Sequence, residues 1–185
     1  MTLKNETDKA FAPPTREPSV ADIQLFFEAV QSEDAIAINP YLVLFPSLLE
    51  HRDRDRGATP LIVAARSGNL AGVEFLHGKG ADLKATDNAD MDALMNACEK
   101  GEMPVAKYLV ETAGMDPGRT TSGGMTPATI ACGAEFPSMQ SRMLRYVEEQ
   151  KEARLQALHD EIDGMEEGTQ RPLSVSKPLQ LRLKF

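Results

Sequence analysis

The chain has 185 residues, 42% of them apolar, a net charge of −8 and no tryptophan. This length suits one domain with tails, and the acidic balance argues against nucleic-acid binding, which needs a basic footprint. Aromatic residues are sparse, so a core must be built from Ala, Leu, Val, Ile and Met, a set that suits close-packed helices better than a deep ligand pocket.

Residues 1–18 carry Pro13, Pro14 and Pro18 among mixed charges and predict an extended arm. The start MTLKNETDKA lacks the apolar stretch of a signal peptide. From Ser19, SVADIQLFFEAVQSEDAIAI predicts an amphipathic helix capped by Ser19, with Ile23, Phe26, Phe27 and Val30 inward. Asn39-Pro40 breaks that register, so YLVLFPSLLEHRD predicts an irregular second helix. Its apolar run 41–45 stops at Pro46, far too short to span a bilayer. The expectation is a reduced intracellular protein without membrane insertion.

The next stretch, GATPLIVAARSGN at 57–69, predicts a capped helix. Thr59 is placed to cap it, and Pro60 fits the first turn, where no N–H is needed. Leu61, Ala64 and Ala65 share one face, and Gly68 ends the helix. A second helix starts near Asn69 with Leu70, Val73 and Leu76 on one stripe, and Gly78 and Gly80 stop it.

This unit recurs. Thr59-Pro60-Leu61 returns 33 residues later as Asp92-Ala93-Leu94, then 34 residues on as Thr126-Pro127-Ala128. In the same register Ala64-Ala65 becomes Ala97-Cys98 and Ala131-Cys132, Gly68 becomes Gly101, and Leu76 becomes Leu109. The turn glycine Gly57 becomes Asp90 and then Gly124. A fixed period near 33 marks a repeat architecture, which needs about three units to bury a continuous core.

The stretch DRGATPLIVAARSGNLAGVEFLHGKGADLKATD resembles an ankyrin repeat through Gly57, Thr59-Pro60-Leu61, Ala64-Ala65, Gly68, Val73, Leu76 and Gly80-Ala81-Asp82. The second copy keeps Leu94, Ala97, Gly101 and Leu109; the third keeps Gly124, Thr126-Pro127, Ile130 and Ala131. The resemblance implies an all-α, ankyrin-type helical repeat solenoid of paired antiparallel helices joined by β-turn loops, to which the residue pattern adds a C-terminal helix and extended terminal arms. The layout is a diverged cap at 19–54, then repeats at 55–87, 88–121 and 122–147. The family's histidine after Thr-Pro-Leu, which ties turns together, is replaced by Ile62, Met95 and Thr129, which implies looser repeats.

Beyond Pro137 the sequence predicts further helix, running into an acidic extension at 148–168. Leu155, Leu158, Ile162 and Met165 are spaced 3, 4 and 3 apart, a short seam able to pack on a partner or on the repeats, or to fold back on a solvated helix. The basic tail 169–185 alternates Leu179, Leu181, Leu183 and Phe185 with polar residues. That pattern reads either as a strand added to a partner's sheet or as an unfolded tail.

Candidate chemistry is thin. Asn88, Asp90, Asp92, Asn96 and Glu99 match positions of a calcium loop, but Ala93 stands where glycine is needed and the register assigns these residues to a helix. GKGAD at 78–82 lacks the rest of a phosphate motif. His51, His77 and His159 are far apart, and Cys98 and Cys132 form no CxxC. Both cysteines occupy one small-residue slot and are expected to be buried packing, unbonded to each other. No catalytic residue, metal, cofactor or small-molecule substrate is predicted. The resemblance implies other proteins as partners. Carried over residue by residue, contacts fall on Asp55, Arg56, Arg66 and Ser67 in the first copy. In the second they fall on Asn88, Ala89, Met91, Glu99 and Lys100, and in the third on Gly123 and Met125. The tail residues Leu179, Leu181, Leu183 and Phe185 are added. Two roles follow as expectations: a structural subunit of a larger assembly, or a soluble adaptor capturing one partner on its concave face.

Overall fold

The computed structural model describes residues 16–32 and 35–167, with side chains as far as residue 162. The expected strand or tail carrying Leu179, Leu181, Leu183 and Phe185 lies outside the described residues.

Helix α1 (Val20–Gln31) begins with a capping box. Ser19 Oγ accepts from Asp22 N–H at 3.2 Å, and the Asp22 carboxylate accepts from Ser19 N–H at 2.8 Å. The Ser19 hydroxyl, then its backbone N–H, are the main causes holding the Asp22 carboxyl below its usual range. The apolar spacing of α1 buries Phe26, Phe27 and Val30, while Ile23 is half-buried. The segment that follows is irregular: a 3-10 turn (Ala35–Ala37), the short α2 (Asn39–Leu44) and a second 3-10 turn (Pro46–Glu50). Pro40 fits the first turn of α2, and Pro46 can continue no α-helical ladder.

Three helix pairs follow. They are α3 (Pro60–Arg66) with α4 (Leu70–Gly78), α5 (Ala93–Lys100) with α6 (Met103–Glu111), and α7 (Pro127–Gly133) with α8 (Pro137–Glu167). Helices α1, α3, α5 and α7 pack side by side in sequence, and α4 packs on α6 as a second row. Leu61, Ile62, Leu76, Leu94, Met95 and Leu109 are fully buried between them. Each contributes on the order of 1.5–3 kcal/mol of burial free energy.

Each pair is preceded by a hairpin-like tip. Asp53 N–H donates to Ala58 O, Asp87 N–H to Met91 O and Thr121 N–H to Met125 O, each at 2.9 Å. The residue that opens each tip also braces it. Asp53 Oδ1 accepts from the N–H groups of Arg56 and Ala58, Asp87 Oδ1 from Ala89 and Met91, and Thr121 Oγ1 from Met125. Gly57, Asp90 and Gly124 hold the corner with φ of +65°, +60° and +78°, a left-handed conformation that favours glycine. Asp90 tolerates it because its carboxylate is held from the next tip, by Ser122 N–H at 2.6 Å and Arg119 Nη2 at 3.0 Å. Helix ends repeat the same conformation at Gly68 and Gly101, both +76°, and at Glu135, +63°, which fills the third slot.

The caps differ from expectation in one copy. Asp92 caps α5 by accepting from Met95 N–H at 2.9 Å, and Thr126 caps α7 by accepting from Thr129 N–H at 3.2 Å. Thr59 does not cap α3: its hydroxyl is buried without a hydrogen bond. The first turn closes through the backbone instead, from Val63 N–H to Thr59 O.

The tie assigned by resemblance to a histidine is made in the second copy by Asn96. Its buried amide donates to Asp87 Oδ2 at 3.1 Å and to the carbonyls of Asp92 and Met91 at 3.1 and 3.4 Å. The two cysteines part company: Cys98 is fully buried, but Cys132 is exposed. Cys98 lies on α5, between α3 and α7, whereas α7 is the last inner helix among the described residues.

Contacts divide the chain into two units, Met1–Val147 and Glu148–Phe185. In the first, α8 supplies Met139, Met143 and Tyr146 to the core, and Tyr146 Oη donates to Glu111 Oε1 at 2.7 Å. In the second, the described side chains at 148–162 are exposed.

Candidate protein-binding surface

Helix α1, the first tip and the C-terminal ends of α3 and α5 line a trough of two adjoining parts. Its first part, about 340 Å³, lies along α1 and is lined by Val20, Ile23, Gln24 and Phe27 opposite His51 and Arg54. The Phe27 and His51 rings stand 6.3 Å apart. Its second part, about 480 Å³, is lined by Arg56, Val63, Arg66, Ser67 and Lys100. Gln31, Asp53 and Asp55 belong to both parts and join them.

Position follows from the repeat. Arg66 and Ser67 close α3 just before Gly68, and Glu99 and Lys100 close α5 just before Gly101. They therefore stand at matching places on neighbouring helices. Glu99 Oε2 lies 3.2 Å from Arg56 Nη1 and 3.8 Å from Arg66 Nε, so one carboxylate spans a tip and an inner helix. The longer distance is an electrostatic contact and leaves Arg66 Nε–H without a hydrogen bond. The pairs are about a third exposed, so screening keeps their contribution to stability small.

The trough brings together Asp55, Arg56, Arg66, Ser67 and Lys100 of the expected contact residues, with Glu99 bonded to its wall. Asn88 adjoins it: its N–H donates to Arg56 O at 2.8 Å, and its side chain lies where a Cβ on Gly57 would stand. Ala89 is exposed on the same tip. Met91 is a correction. It is 7% exposed and packs in the core, so it cannot offer a surface contact. Its equivalents are Ala58, buried, and Met125, 46% exposed. The slot faces the following copy and is open only where the described copies end. Gly123 and Met125 are exposed on the third tip and do not line the trough.

Sequence reasoning missed Val20, Gln24, Gln31, Arg52, Asp53, Arg54 and Val63. The signal available was the bracing residue at each tip, Asp53, Asp87 and Thr121, which recurs every 34 residues.

A separate cleft of about 400 Å³ lies between Leu83 and Met115, with Asp92 and Arg119 in its wall. Asp92 is 2% exposed. Burial pushes its carboxyl above the usual range, against the Met95 N–H bond and Arg119, whose Nη1 lies 3.2 Å away. Asp90 goes the other way: Ser122 N–H, then Arg119, hold its carboxyl below the usual range despite some desolvation. Of the residues that match positions of a calcium loop, Asp90 and Asp92 are engaged by Arg119 and backbone N–H groups, and Asn96 by Asp87. Among the described residues no three His, Cys, Asp or Glu side chains group so as to hold a metal, and no helix is long and apolar enough to cross a membrane.

A stack of helix pairs with braced tips and an open polar trough defines a helical-repeat module. Family comparisons agree: a model of ankyrin repeats in three copies matches residues 73–146, and a single-repeat model matches 56–88. Residues 56–146 are thus built of ankyrin repeats. The chain is also 31% identical over 94 residues to "Putative glutaminase 2" of Caenorhabditis elegans. That alignment takes in 51% of this chain but spans only 15% of the relative, and it falls in the ankyrin region. Ankyrin repeats are a non-catalytic interaction fold.

Proposed function

We propose that the chain is a protein-binding module that holds its partner in the trough. One observation carries this reading: five residues expected from the repeat register to face a partner, Asp55, Arg56, Arg66, Ser67 and Lys100, line one continuous groove. The groove is open, mixed in charge and floored by Val63 and the α1 face, which suits a protein segment better than a small molecule. Glutaminase chemistry is not carried over, because the shared part is repeat.

The role within that reading is a fixed subunit of a larger intracellular assembly, with the terminal arms as further contacts. A free adaptor in the cytoplasm is the second reading, favoured by the openness of the trough. Affinity isolation from native extract tests the shared claim. Wild type is compared with Arg54→Glu/Lys100→Glu in the trough and with Lys107→Glu on the exposed side of α6. Partners lost with the trough variant and kept with the α6 variant are expected; identical partner sets for all three would refute it. A fixed subunit co-sediments with its complex at high salt, whereas an adaptor runs as a small free protein.

A further inference from the structure

We infer that the chain also docks on a second copy of itself, the acidic part of α8 from one copy lying in the trough of the other. This rests on the reading of the trough as a binding surface and names an occupant for it. Two separate surfaces carry the inference.

The first is the trough. Val20, Ile23, Gln24, Phe27 and Gln31 recur at helical spacing along its α1 wall, which therefore runs for about 16 Å at 1.5 Å per residue. Val20 is apolar and 59% exposed there. The rim carries a surplus of cations in a chain of net charge −8: Arg52, Arg54, Arg56, Arg66 and Lys100 stand against Asp53, Asp55 and the Glu99 carboxylate that pairs with Arg56 and Arg66, which leaves Arg54 and Lys100 among the exposed cations outside those pairs.

The second is the outer part of α8. Leu155, Leu158 and Ile162 are 67%, 49% and 55% exposed. Their spacing of three and four places them on one face over about 10 Å. The segment 148–167 holds eight carboxylates and two cations. An acidic helix with an apolar stripe complements a wall that offers Val20 and Ile23 beneath a rim with surplus cations, a form of helix-in-groove recognition. Pairing two such helices along their stripes would instead set six net negative charges against six. The contact is heterologous, since each copy offers one trough and one helix, so it closes into rings or runs on as a chain of copies.

Sedimentation velocity of the full chain tests this, from about 5 to about 200 µM and at about 0.05 and about 0.5 M salt. The weight-average sedimentation coefficient should rise with concentration, and the association should weaken about tenfold at high salt. Leu158→Glu and Arg54→Glu/Lys100→Glu change only exposed side chains, and each variant alone should be monomeric with the melting temperature of the wild type. Mixed together they should form a one-to-one complex and stop there, because one retains a trough and the other a helix. A wild type that stays monomeric throughout overturns the inference. So does a trough variant that associates as the wild type does, which would mean helix pairing with helix. If the wild type is monomeric yet its other partners still depend on the trough, self-docking alone fails; if they do not, the proposed function fails with it.

Discussion

Asp90 stands where the neighbouring copies carry glycine, with φ of +60° and its carboxylate bonded to Ser122 N–H and Arg119. Asp90→Ala keeps the strained conformation and loses the bonds, so it should lower the melting temperature. Asp90→Gly loses the same bonds but relieves the strain, and should melt above Asp90→Ala. Equal melting would mean that the corner is indifferent to φ. The pH response of this cluster has two signs. Asp90 has a lowered value, so the stability it contributes is present above about pH 3.8 and is lost as pH falls towards that lowered value. Asp92 has a raised value, so the folded state favours its protonated form, and stability declines as pH rises from about 3.8 through the raised value. Asp92→Asn keeps a good cap and removes that decline; urea titrations across pH should show a smaller loss above pH 4 for the variant. A steeper loss would contradict the burial argument. The cysteines offer a third test. Burial, then the nearby Asp92 charge, pushes the Cys98 thiol up to about 12, while Cys132 is exposed. A thiol reagent at neutral pH should label one cysteine in the native protein and two after unfolding. Two fast thiols in the native state would mean that α5 is not covered by α7.

Among the elements, legibility followed the repeat. Thr-Pro-Leu, the alanine pair and the closing glycines are turn and packing chemistry under tight constraint, so they fixed α3 and α5 to within a residue or two. Met91 and Cys132 were misplaced for one shared reason. Slots equivalent by sequence differ in exposure according to whether another copy covers them, and sequence register carries no sign of where a stack ends. The α1 wall of the trough was hidden because its copy has diverged, and Arg54 and Val63 match no family mark. The same contrast predicts stabilities. Leu94→Ala, in the first turn of α5 and fully buried, should cost about 2–5 kcal/mol. Leu158→Ala, on the exposed stripe of α8, should fall within about 0.5 kcal/mol of wild type. Denaturant unfolding measures both, and a large effect at Leu158 would show that its face is covered within the monomer.

At the scale of the whole molecule, the repeats build a rigid wall and leave its chemistry to residues that the fold does not need. Arg54, Ser67 and Lys100 are exposed, so all three can vary without disturbing the core. Binding should therefore separate cleanly from stability. The measurement that tests this most directly is calorimetric titration of an isolated partner into wild type and into Arg54→Glu/Lys100→Glu, with melting of both proteins recorded alongside. The trough account predicts a loss of affinity of at least about tenfold with an unchanged melting temperature. Equal affinities for the two proteins would place the binding surface elsewhere and contradict it.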